Sequence, residues 1–153
     1  LSNMPRLPGT DNRTMHASYG NTILLGDSPE ETTRKVMGMY TDPTRIHATD
    51  PGHIEGNPVF DYHDLFNPDR EQVEEFKARY RAGKIGDVEV KRRLAEALNE
   101  YLEPIRRRRE EWMARPDDLR DLLRQGTETA GIVARETIEE VKTRMGVPSL
   151  DAG

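Results

Sequence analysis

At Ser28-Pro29, Asn57-Pro58 and Asn67-Pro68 a side chain able to cap a helix is followed at once by proline and then by apolar residues at helical spacing. Proline at the first helical position forfeits no hydrogen bond there, and its fixed φ suits the helix, so each pair marks a helix start. Glu31 completes a capping box at the first. Arg115-Pro116-Asp117 restarts the helical pattern further along. A chain punctuated in this way is constrained to helices from residue 28 onward.

The apolar residues between these starts agree. The first helix carries Val36, Met37, Met39 and Tyr40, with Met37 and Tyr40 expected in the core. It should stop near Thr41-Asp42-Pro43, because the residue before a proline avoids the helical region. The second runs through Phe60 and Leu65, and the third through Val73, Phe76 and Tyr80 to Gly83. The longest opens at Gly86-Asp87 with an amphipathic stripe of Val88, Lys91, Leu94, Ala95, Leu98, Tyr101, Leu102 and Ile105. Pro104 should kink it by removing the hydrogen bond to residue 100. After Leu119, Leu122 and Leu123, Gly126 is expected to break or bend the chain. A last helix then runs from about residue 127 to 144 and ends at Gly146 and Pro148. The expected fold is mostly α, a bundle of five to six helices, with a possible strand end at Ile23-Leu24-Leu25.

At 153 residues the chain suits one domain, or a domain with an appendage. One third of it is charged, and no run of about 18 apolar residues offers a membrane span. No basic start followed by an apolar stretch resembles a secretory leader. Cysteine is absent, which removes disulfide and thiolate chemistry and fits a reducing compartment. The first residue is Leu1, so the chain is expected to be part of a longer protein.

Net charge of −5 argues against a simple cationic nucleic-acid binder, but the charge is unevenly spread. Lys91, Arg92 and Arg93, with Arg106, Arg107, Arg108 and Arg109, place seven cations on the longest helix, and Tyr80, Tyr101 and Trp112 are candidate stacking partners. Phosphate contact plus base stacking is the usual mode of single-stranded RNA binding. Glu96, Glu100, Glu103, Glu110 and Glu111 are interleaved at helical spacing and would pair with several of these cations.

Ahead of the helices lies a polar stretch, residues 7–23, broken by Pro8, Gly9 and Gly20. It reads as a surface loop, either a frayed terminus or a binding segment, and Arg6, Asn12, Arg13, Thr14, Ser18 and Asn21 suit anion contacts. No glycine pattern ending in Lys-Ser or Lys-Thr makes it a self-contained phosphate loop. A second loop, residues 42–57, holds His47, Asp50, His53 and Glu55 at a spacing that matches no metal-ligand pattern. No nucleophile–base set stands out, and Asp61 with Asp64 fits an ordinary helix. No residue is assigned a catalytic role, and no metal ligand is expected.

Several words in the chain carry more than its statistics. Leu7-Pro-Gly-Thr-Asp-Asn-Arg, Ser18-Tyr-Gly-Asn-Thr-Ile, Lys35-Val-Met-Gly-Met-Tyr-Thr-Asp, Glu55-Gly-Asn-Pro-Val-Phe, Gly86-Asp-Val-Glu-Val-Lys and Leu102-Glu-Pro-Ile-Arg together resemble bacterial-type tryptophanyl-tRNA synthetase. The resemblance runs from near Leu1 to about Met145. It implies the last edge and signature loop of a Rossmann-like catalytic domain over residues 1–27, a helical anticodon-binding domain over 28–146, and a tail over 147–153. It further implies a cytoplasmic, homodimeric aminoacyl-tRNA ligase that uses ATP with Mg²⁺, tryptophan and tRNA, the segment in hand not being catalytic alone. Arg106 to Arg109 are the candidate RNA contacts.

In that family a mobile Lys-Met-Ser-Lys-Ser loop closes on ATP. Here the five aligned residues are Thr14, Met15, His16, Ala17 and Ser18, so both lysines are replaced. Arg13 or His16 could compensate in part. The same loss leaves open an alternative, a non-catalytic or reduced-activity paralogue that binds RNA or a protein partner.

Overall fold

The computed structural model describes residues 6–47 and 49–147. Among them are five α-helices: α1 (Pro29–Met37), α2 (Pro58–Phe66), α3 (Arg70–Arg81), α4 (Asp87–Met113) and α5 (Pro116–Met145). A 3-10 turn spans Ala17–Tyr19, and an isolated antiparallel bridge joins Pro8 to Thr14. The described residues contain no strand. At Ile23-Leu24-Leu25, where a strand end was expected, the Leu24 N–H is taken by the Asp27 carboxylate at 2.8 Å and the Leu24 carbonyl by the Asp27 N–H at 3.1 Å. That turn leaves no extended backbone to pair. None of the described helices is long and apolar enough to cross a membrane.

Two of the cap-then-proline starts are used as read. Ser28 Oγ accepts the Glu31 N–H at 3.2 Å with Pro29 opening α1, and Asn57 Oδ1 accepts the Val59 N–H at 3.1 Å with Pro58 opening α2. The third is displaced. Asn67 turns its amide toward His63 and Gln72, while Asp69 Oδ1 accepts the Gln72 N–H at 2.9 Å and caps α3.

The chain divides into two compact units, residues 1–108 and 109–153. The described part of the opening segment belongs to the first unit. The expected tail lies, apart from Val147, outside the described residues.

In the first unit Val36, Met39, Val59, Phe60, Tyr62, Phe76, Tyr80, Ile85, Val90, Leu94, Ala95 and Leu98 form one core. Full burial of a side chain such as Leu94 contributes about 1.5–3 kcal/mol. The Phe60 and Tyr80 rings meet edge to face at 4.9 Å, and Gly52 lies so close to Tyr80 and Arg45 that a Cβ there would strike both. Helix α1 buries Thr32 and Val36, at i and i+4, and Met39, just past its end, is buried beside them. Met37 and Tyr40, expected inside, lie one position off that face and are partly exposed. On α4 the buried apolar residues are Val90, Leu94, Ala95, Ala97, Leu98 and Leu102, whereas Val88 and Tyr101 are exposed.

Lys91 is buried with this stripe despite its charge. Its Nζ donates to the Met37 and Met39 carbonyls at 3.1 and 2.6 Å, satisfying acceptors where α1 ends. Burial pulls the Lys91 pKa below the usual lysine range. Helix α4 continues through Pro104 and α5 through Gly126; neither residue ends a helix. In the second unit the apolar residues of α5, among them Leu122, Leu123, Val133 and Val141, are exposed.

Candidate functional site

The opening segment is a tied loop. Pro8 and Thr14 bridge, and the Gly9 N–H donates to the Arg13 carbonyl at 2.7 Å. Asn12 takes a left-handed conformation, φ 65°, at the turn between them, and its Nδ2 donates to the Gly56 carbonyl at 2.8 Å. Asparagine tolerates that conformation better than most residues. The Tyr62 hydroxyl donates to the Pro8 carbonyl at 2.9 Å, and the Tyr40 N–H to that of Thr10 at 2.8 Å, fixing the loop's entry on the core.

Asn21, 3% exposed, gathers the return strand of the loop. Its Oδ1 accepts the His16 N–H at 3.0 Å, and its Nδ2 donates to Asp11 Oδ1 at 2.8 Å and the Thr14 carbonyl at 3.1 Å. The Asn21 carbonyl accepts the Thr10 N–H at 2.9 Å. A Cβ at Gly9 would collide with this amide, so glycine is required by close approach. The Asn21 amide and then the Arg13 N–H hold the Asp11 carboxyl below the usual carboxylate range.

Between these ties the tip stands out. Thr14, His16, Ala17 and Ser18 are exposed and Met15 is half-buried. His16 Nδ1 lies 2.7 Å from Ser18 Oγ and accepts the Ser18 N–H at 3.3 Å, and the His16 and Tyr19 rings are 4.9 Å apart. All five expected loop residues thus lie together on one held-out tip. Asn21, which reads in the sequence as one of a set suited to anion contacts, is instead the buried residue that holds the tip, because an asparagine in a polar stretch carries no signal of burial.

The second candidate set does not behave as one. Arg106 is buried in the first unit: its Nε donates to the Asp27 carbonyl at 2.7 Å, and its Nη2 to Thr32 Oγ1 at 2.8 Å and Asn99 Oδ1 at 2.9 Å. The guanidinium is thus turned to its own chain, with Nη1 buried and without a hydrogen-bond partner. Arg107, Arg108 and Arg109 are exposed and make no ion pair among the described residues. Of the glutamates interleaved with the cations, Glu96 pairs with Arg93 at 2.9 Å. Tyr80 is core, not a stacking platform, and its hydroxyl donates to Asp87 Oδ1 at 2.7 Å. Tyr101 and Trp112 retain exposed faces.

The acidic residues of the second loop bond within the loop or to α3. Asp50 Oδ2 accepts the Ile46 and His47 N–H groups at 3.1 and 2.8 Å, and Glu55 pairs with Arg81 at 3.0 Å. Asp42 Oδ2 lies 2.9 Å from His53 Nδ1. The open depression of about 500 Å³ along α4 is lined by Gly86, Val88, Glu89, Arg92, Arg93 and Glu96, of mixed charge.

Residues 3–103 match the family model described as tRNA synthetases class I (W and Y). The chain belongs to that family. Among its relatives, this synthetase-family chain is 50% identical over 148 residues to the tryptophan–tRNA ligase of Treponema pallidum (strain Nichols), covering 96% of this chain and 44% of that protein. It is 54% identical over 127 residues to that of Chlamydia caviae, covering 83% of this chain and 37% of that protein. The chain therefore spans less than half the length of these relatives. A crystal structure of tryptophanyl-tRNA synthetase from Campylobacter jejuni complexed with ADP and tryptophan superposes with a TM-score of 0.76 at 27% identity, covering 95% of this chain and 45% of that one.

Proposed function

We propose that this chain is the part of a tryptophan–tRNA ligase that supplies the ATP-closing loop and the anticodon-binding helices. The reaction of the intact protein is activation of tryptophan by ATP followed by transfer to tRNA. The observation that carries this reading is the 50% identity to a tryptophan–tRNA ligase over 148 residues, which takes in both the tied loop and α1 to α4. A structural neighbour solved with ADP and tryptophan supports a nucleotide as the loop's ligand.

On this reading residues 14–18 cover the triphosphate and the remainder of the site lies on chain outside these residues. Magnesium accompanies ATP. Such an ion binds the phosphate oxygens of the nucleotide. Arg107, Arg108 and Arg109 are the cations free to meet tRNA phosphates. A cytoplasmic location and a homodimeric state of the intact protein belong to the same proposal.

The paralogue alternative rests on the missing lysines at positions 14 and 17 alone, and the relatives described above bear ligase names. Tryptophan-dependent ATP–pyrophosphate exchange by the intact protein is the experiment: exchange supports the ligase, and tryptophan binding without exchange supports the paralogue.

A further inference from the structure

We infer that the His16 imidazole supplies the hydrogen-bond donor to the phosphate oxygens at the loop tip, the task left open by Thr14 and Ala17; this rests on the ligase reading above. The geometry that points to it is the way the ring is held. A backbone N–H can only donate, so the 3.3 Å contact from the Ser18 N–H makes Nδ1 an acceptor and leaves the ring proton on Nε2. Ser18 Oγ, 2.7 Å from the same nitrogen, reinforces that choice. The Tyr19 ring lies 4.9 Å from the imidazole, and the His16 N–H is fastened to the buried Asn21 at 3.0 Å. An exposed donor whose tautomer and backbone are both fixed loses little entropy when an anion arrives.

The other groups at the tip are less suited. Arg13 is turned to Asp11, its Nε 3.8 Å from a carboxylate oxygen, and its side chain is 79% exposed with no partner holding it toward the tip. Ser18 Oγ is engaged with the imidazole. The Tyr19 N–H is spent on the His16 carbonyl at 3.1 Å. The preferred ligand is a polyphosphate in which one non-bridging oxygen accepts from Nε2; no bond is made or broken by the ring, and no proton need leave it.

The substitutions that separate donor from bulk are His16→Gln, His16→Asn and His16→Ala. A glutamine amide reaches the place of Nε2, whereas an asparagine amide reaches only that of Nδ1. In tryptophan-dependent ATP–pyrophosphate exchange by the intact protein, His16→Ala and His16→Asn should lower the rate about a hundredfold, the range for loss of one well-placed donor. His16→Gln should stay within about tenfold of the parent. The KM for pyrophosphate should rise while that for tryptophan holds. Exchange by His16→Ala at the parental rate overturns the inference and leaves the ligase reading standing. Equal loss in all three variants, with the KM for both substrates raised, also overturns it by showing a structural role. A parent protein that binds tryptophan but exchanges nothing overturns both.

Discussion

Arg106 Nε, late in α4, donates at 2.7 Å to the carbonyl of Asp27, the residue just before the cap of α1. Around that contact the exit of the loop is closed: Lys35 Nζ lies 2.6 Å from the Asp27 carboxylate, which also accepts the Leu24 N–H. A cation from a run that reads as solvent-facing is therefore a tie between α4 and the loop. Replacing Arg106 by alanine strands the Thr32 hydroxyl, the Asn99 amide and the Asp27 carbonyl. Loss of about 2–4 kcal/mol is expected from such a buried, charge-assisted network. Arg107→Ala and Arg108→Ala should fall within about 0.5 kcal/mol of the parent. Chemical denaturation of the three variants side by side checks this ordering, and equal effects would refute it.

The same contrast governs RNA binding. Reversing charge at Arg107, Arg108 and Arg109 to glutamate should weaken tRNA affinity and flatten its dependence on salt, since each lost phosphate contact removes about one counterion from the slope. Affinity measured across a salt series is the readout. An unchanged slope would assign these arginines to a purely solvated face.

His63 gives the pH dependence its sign. It is fully buried, its Nε2 donates to the Val90 carbonyl at 3.0 Å, and its Nδ1 faces the Asn67 amide at 3.2 Å. Burial, the dominant cause, lowers its pKa below the ordinary histidine value, with Lys77 adding to the effect and Asp64 and the Val90 bond opposing it. Folding thus favours the neutral ring, so this contribution is present above the unfolded value of about 6.5 and fades as pH falls below it. Tm should decline between about pH 7.5 and 5.5, and His63→Gln should flatten that interval even if its Tm is lower throughout. Parallel profiles would contradict the assignment.

Part of this was legible from residues alone. Ser28-Pro29 and Asn57-Pro58 named two helix starts, because cap and proline chemistry is local. Asn67-Pro68 misled by two residues, since tertiary partners His63 and Gln72 drew off the Asn67 amide and left capping to Asp69. Gly126 reads as a break or bend and Pro104 as a kink, yet α5 and α4 run through them: glycine costs a helix only about 1 kcal/mol and one proline removes one bond from a long run. The acceptors of the buried cations were not legible at all. Lys91 and Arg106 are fixed by carbonyls of Met37, Met39 and Asp27, over fifty residues away in the chain, and nothing in a charge run announces such acceptors. The loop words were legible as a family resemblance, but the Asn21 anchor was visible only in three dimensions.

Restoring lysine tests the loop's chemistry from the opposite direction. Thr14→Lys with Ala17→Lys places ammonium groups on the exposed tip without touching the Asn21 ties, whose partner at position 14 is the backbone carbonyl. The double variant of the intact protein should raise the exchange rate by roughly tenfold or more. No gain, with tryptophan binding intact, would show that this tip does not meet the phosphates.

The central claim, that these residues serve a tryptophan–tRNA ligase, is met most directly by amino-acid-dependent ATP–pyrophosphate exchange on the intact protein. The account predicts exchange with tryptophan and none above background with tyrosine. Exchange driven by tyrosine, or none with either amino acid while tryptophan still binds, would contradict it.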